Sequence, residues 1–90
     1  MKLKITKADE NERCVRLLIE GMITHPGASR LQAVCHDYLQ QHKQVELDCA
    51  DIDFVDAKGA AVLNDFSRAD VTLLHAPRFV QQLLHSGDRS

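Results

Sequence analysis

The hydrophobic positions change their period along the chain, and each change marks a new element. Leu3 and Ile5 alternate with polar neighbours, Lys7 is the next position in phase, and together they read as a short half-buried strand. The charged run Asp9 to Arg13 then reads as a turn. Cys14 to Glu20 follows as a second strand, because its centre, Val15-Arg-Leu-Leu-Ile19, is β-branched and too short for a buried helix; Gly21 closes it. From Ala28 to about His42 the period becomes helical. Leu31, Val34, Cys35, Tyr38 and Leu39 share one face, while Arg30, Gln32, Asp37 and Gln40 point away, and Thr24 and Pro26 supply the start signal.

Val45, Leu47 and Cys49 alternate with Glu46 and Asp48, and a helix separates them from the preceding strand, so a parallel crossover is the economical arrangement. The stretch Asp51 to Gly59 is apolar at Ile52, Phe54 and Val55. A second helix is expected from Ala60 to about Phe66, with Val62, Leu63 and Phe66 inward and Asp56 as its N-cap. Eleven residues, Ala60 to Asp70, separate Gly59 from the next strand, which leaves room for about two helical turns. Val71 to His75 is a fourth strand, and Pro77 opens a last helix with Phe79, Val80, Leu83 and Leu84 on one apolar face. The predicted order β-β-α-β-α-β-α describes an α/β fold, a mixed sheet of about four strands covered by about three helices.

Composition narrows the function. Ninety residues, 44% apolar, make one domain over residues 1–90, with a core over about 3–84 and a frayed tail at 85–90. Eleven Lys and Arg against 13 Asp and Glu give a net charge of −2, and Tyr38, Phe54, Phe66 and Phe79 are too scattered to stack bases, so nucleic acid is a poor partner. Cys14, Cys35 and Cys49 form no C-x-x-C pair and read as free thiols. The start lacks the apolar core of a signal peptide, and no apolar run reaches membrane-helix length, which points to a reducing, cytoplasmic setting.

Candidate chemistry is thin. His36 and His42 lie six apart, off the spacing that would put both on one helical face for a metal, and His25, His75 and His85 are isolated. Cys35 and His36 are adjacent on a helix, about 100° apart, and cannot act as nucleophile and base toward each other. The acidic stretch Asp48, Asp51, Asp53 and Asp56 precedes a helix N-terminus, where turns and capping account for it. Gly59 alone is a weak phosphate signal. No cofactor, metal or enzymatic activity is expected.

One stretch says more. Val45-Glu-Leu-Asp-Cys-Ala-Asp-Ile-Asp-Phe-Val-Asp-Ala-Lys-Gly-Ala-Ala-Val-Leu63 resembles the signature of the STAS domain of sulfate transporters and anti-sigma factor antagonists. There a strand ending in Leu-Asp leads through an apolar turn to Asp-Ser-Ser-Gly or Asp-Ser-Thr-Gly and a helix. Val15 to Thr24 is similar to the family's second strand with its closing Gly, and Val71 to Leu84 to its last strand and helix, so the likeness spans roughly residues 12 to 84. The resemblance implies a protein-interaction module whose partner phosphorylates the Ser or Thr after the Asp and then lets go. Here that position is Ala57, followed by Lys58, so the switch cannot operate at this loop; Thr24, Ser29 or Ser67 are the alternative modification positions. The helix after the loop is also shorter than is usual in the family.

Three functions follow. The first is an anti-sigma factor antagonist-like module docking a kinase-like anti-sigma factor through Thr24, His25, Asp56, Ala57, Lys58, Gly59 and Ala60. The second is the accessory STAS subunit of a phospholipid-trafficking ABC transporter, bound to its ATPase, which the lost hydroxyl favours. The third is a small-anion or nucleotide binder using amides at a helix N-terminus.

Overall fold

A computed structural model describes residues 3–66 and 69–86. Its elements are β1 (Leu3–Glu10), β2 (Cys14–Ile23), α1 (His25–Gln40), β3 (Gln44–Val55), α2 (Ala57–Phe66), β4 (Val71–Leu74) and α3 (Arg78–Ser86). The strands lie in the order β1-β2-β3-β4, with β1 antiparallel to β2 and the other neighbours parallel. The expected mixed four-stranded sheet and the order of elements are therefore both present.

The connections decide where the core sits. Two successive parallel crossovers step in the same direction across the sheet, and right-handed crossovers then place both helices on one face. One apolar cluster results. Val15, Leu17, Ile19, Ile23, Val45, Leu47, Cys49 and Ile52 of the central strands pack with Leu31 and Cys35 of α1, Val62 and Leu63 of α2 and Val80 of α3. The opposite sheet face, carrying Lys4, Thr6, Arg16, Leu18, Met22, Asp48, Phe54 and Thr72, has no fully buried residue.

Several boundaries move from their expected places. β1 runs to Glu10, and the turn is the short Asn11 to Arg13, where the Asn11 side-chain carbonyl accepts the N–H groups of Arg13 and Cys14 at 2.8 and 2.9 Å. Lys7 is exposed; with Lys43 it pairs with Glu10, and the two ammonium groups hold that carboxyl down at about 2. β2 does not stop at Gly21, which takes φ 97°, a conformation that suits glycine, but continues to Ile23, while the partner β3 bulges alongside it at Asp53. α1 begins at His25 rather than Ala28 and ends at Gln40, because His42 takes the left-handed conformation (φ 64°). The His42 and Lys43 amides then donate back to the Leu39 and Tyr38 carbonyls, a glycine-type stop built with histidine.

α2 starts at Ala57, three residues before the expected Ala60, and so holds 10 residues, closer to three turns than two. β4 ends at Leu74, and His75 turns left-handed beyond it. On α3, Val80 is fully buried and Leu83 and Leu84 are half-buried, but Phe79 is 39% exposed and does not belong to the inward face. The helix extends through Ser86; residues 87–90, most of the tail expected to fray, and Ser67 lie outside the described residues.

Cys35 and Cys49 are fully buried, and desolvation pushes each thiol up to about 12; Cys14 is half-buried, with a smaller upward shift of the same origin. A raised folded-state value leaves stability intact below the ordinary thiol value near 9 and removes it as pH climbs from there toward about 12. With a thiol reagent at about pH 8, Cys14 should react first, and Cys35 and Cys49 only on unfolding in urea. Rapid native-state labelling of all three would contradict this burial.

Candidate functional site

Because β2 and β3 are parallel neighbours, their carboxyl ends finish side by side, with Ile23 opposite Val55. Each strand then runs straight into a helix, β2 through Thr24 into α1 and β3 through Asp56 into α2. Two helix N-termini thus converge at one end of the sheet, the place where open α/β sheets usually present their ligands. Thr24, His25, Asp56, Ala57, Lys58, Gly59 and Ala60, proposed from the sequence as one surface, are brought together here.

Asp56 organises the junction. Its amide donates to the Ile23 carbonyl at 3.1 Å, and its carbonyl accepts the Ala60 N–H at 2.8 Å. One carboxylate oxygen accepts the Gly59 N–H at 2.7 Å, the expected N-cap bond for α2. The other accepts the His25 N–H at 3.0 Å, capping α1 across 31 positions of sequence. Thr24 stands at the N-cap position of α1 but makes no side-chain cap bond, and the remote aspartate takes over that task. A single negative charge sits between two positive helix ends, where both macrodipoles favour it. A cap bond of this kind contributes about 1 kcal/mol.

Gly59 has a structural reason that its reading as a phosphate signal missed. A Cβ there would lie 2.3 Å from the Ile23 carbonyl oxygen and 2.9 Å from side-chain atoms of Ile23 and Val55. The glycine lets the first turn of α2 sit directly on the ends of β2 and β3, which a close glycine approach just after a strand could have signalled. What faces solvent is His25, Pro26, Ala57 and Lys58; Thr24, Asp56 and Ala60 are half-buried.

The other acidic residues do different work from the one expected. Asp48, Asp51 and Asp53 belong to β3, not to the turn or cap, and of the stretch Asp56 alone caps a helix. Asp48 accepts the Ala50 N–H at 3.1 Å and lies 3.4 Å from the His75 imidazole. His36 approaches Gln40, and its neighbour Cys35 turns into the core. Among the described residues, no three His, Cys, Asp or Glu side chains gather to hold a metal ion.

A protein-family model described as "Mlab, STAS domain" matches residues 6–88. The chain belongs to the STAS family. A solved structure, that of the anti-sigma factor antagonist SpoIIAA in its unphosphorylated form, superposes with a TM-score of 0.72 at 12% sequence identity, covering 91% of this chain and 82% of that one. At that identity the likeness is one of fold. No curated protein matches the chain. Ala57 is the first residue of α2, exposed and next in sequence to the capping carboxylate. The described residues contain no helix long and apolar enough to cross a membrane.

Proposed function

We propose that this STAS domain is a non-catalytic, cytoplasmic docking module, engaging a protein partner through the surface made by Thr24, His25 and residues 56–60. The observation that carries the reading is the double use of Asp56. By capping both helices at once, at 2.7 and 3.0 Å, it makes a stiff platform on which His25, Ala57 and Lys58 stand exposed. Ala57 offers no hydroxyl to phosphorylate, so binding is constitutive at this loop or controlled elsewhere.

Two partner classes fit. An anti-sigma factor antagonist-like role, with a kinase-like ATPase as partner, is supported by the shared fold. The accessory role in a phospholipid-trafficking ABC transporter, with its ATPase as partner, is favoured by the absent hydroxyl and by the Mlab name in the family description. An anion or nucleotide site at these helix starts has less support, because Asp56 already takes amides from both and would repel an anion beside it.

The test is Ala57→Glu. A carboxylate in the first turn suits the helix dipole, so the variant should fold at least as well as the parent. It should nevertheless recover about tenfold less partner from host lysate on an affinity column, as expected when a charge is set against a docked surface. Equal recovery takes the loop out of the interface. The recovered protein separates the two classes, since an ABC ATPase with its permease and a kinase-like ATPase are readily told apart by mass spectrometry.

A further inference from the structure

Next to the docking loop, β3 projects beyond the edge strand β4, which pairs with it only as far as Leu74 opposite Asp48. The last rungs of the central pair are Met22 with Phe54 and Ile23 with Val55. Ile23 faces the helices and is fully buried, so its neighbour Met22, half-buried, and its register partner Phe54, 48% exposed, fall on the open face. Two residues further on, the same strands become Thr24 and Asp56 of the proposed interface.

The charges around this apolar pair share a sign. Glu20 and Asp51 pair two rungs back, beyond Gly21 and Ile52, and Asp53 is the residue bulged out between Ile52 and Phe54. Among the described residues none of these three carboxylates has an ion-pair partner, whereas Arg16 and Glu46 further along the face neutralise each other at 3.0 Å. Among the described residues, Lys4 lies across from Glu20.

We infer that the docking surface continues onto the open face of β2 and β3, where Met22 and Phe54 receive an apolar side chain from a basic segment of a protein partner, its Lys or Arg residues meeting Glu20, Asp51 and Asp53. The inference rests on the docking function proposed above and adds the chemistry of what docks. The sign of the charge selects the occupant. A second copy in a two-fold dimer would set the same carboxylates against one another. An anionic lipid surface or a nucleic-acid backbone would be repelled for the same reason. A basic segment gains at both the apolar centre and the charged rim.

The experiment is an NMR titration of the full isotope-labelled chain with two synthetic amphipathic peptides. One is built from Leu and Lys, the other from Leu and Glu, each about 14 residues long so that a helix can form. The Leu/Lys peptide should shift the amides of Met22, Asp51 and Phe54, and the Leu/Glu peptide should not. Phe54→Ala and the pair Asp51→Asn with Asp53→Asn should each weaken binding about tenfold, the scale of one lost anchor. Phe54 is largely exposed, so its truncation should leave folding intact; if it does not, the charge-neutral pair decides the matter. Equal binding of both peptides, shifts confined to other surfaces, or unchanged affinity in the charge-neutral pair overturns the inference. Failure of the loop reading looks different, since Ala57→Glu would then leave partner capture unchanged while the Leu/Lys peptide still mapped to Met22 and Phe54.

Discussion

Gly59→Ala should destabilise the domain by about 2 to 3 kcal/mol, although alanine is the better helix former by about 1 kcal/mol. The two effects oppose each other, and the geometry decides between them. The new methyl would stand 2.3 Å from the Ile23 carbonyl oxygen, a backbone atom that cannot rotate aside as a side-chain tip could. That carbonyl also accepts the Asp56 amide at 3.1 Å, so displacing it disturbs the residue that caps both helices. In urea the midpoint should fall with an unchanged slope, the mark of lost stability without a change in unfolded-state exposure. A midpoint equal to or above that of the parent would show that α2 can ride away from the sheet at little cost, and the platform would not be stiff. Gly59→Val, which adds two more carbons at the same point, should prevent folding altogether.

Leu63→Ala should cost about 3 kcal/mol, within the range for emptying a fully enclosed leucine site. Leu63 lies at 0% exposure in α2 and belongs to the cluster shared with β2, β3 and α1. Its neighbour but one on the same helix, Ala61, is exposed, and Ala61→Ser should stay within about 0.5 kcal/mol. The contrast, read by equilibrium denaturation, separates loss of the α2 seat from a general intolerance of the helix to change. A cost below about 1 kcal/mol for Leu63→Ala would mean that the site collapses around the smaller residue.

The order of elements was legible because apolar side chains must meet one shared core, and each element exposes its period to do so. Leu31, Cys35 and Leu39 spell α1 at helical spacing, and Val45, Leu47 and Cys49 spell β3 at alternate positions. What escaped was whatever depends on partners distant in sequence. The first turns of both helices, His25-Pro26-Gly27 and Ala57-Lys58-Gly59, carry almost no apolar periodicity, so each helix seemed to start late. The cap of α1 comes from Asp56, 31 positions away, which no local pattern around Thr24 could announce. The end of α1 was hidden for a different reason: His42, not a glycine, adopts the left-handed turn that stops it. Phe79 matched the apolar phase of α3 but lies toward solvent, on a helix that packs chiefly against α2.

At the site itself, Asp56 as cap of the second helix could be read from the sequence. Its second bond could not, and neither could the pairing of Met22 with Phe54, which depends on two irregularities of register between β2 and β3.

The two hydrogen bonds accepted by the Asp56 carboxylate divide labour among the residues at this end of the sheet. A carboxylate that both helices depend on cannot be varied to suit a new partner without loosening the whole junction. His25, Ala57 and Lys58 carry no such duty through their side chains, since what the fold uses at His25 is the backbone amide. Under the proposed docking function, partner choice can be altered at those three positions without cost to the fold, while the aspartate between them is held by the fold itself.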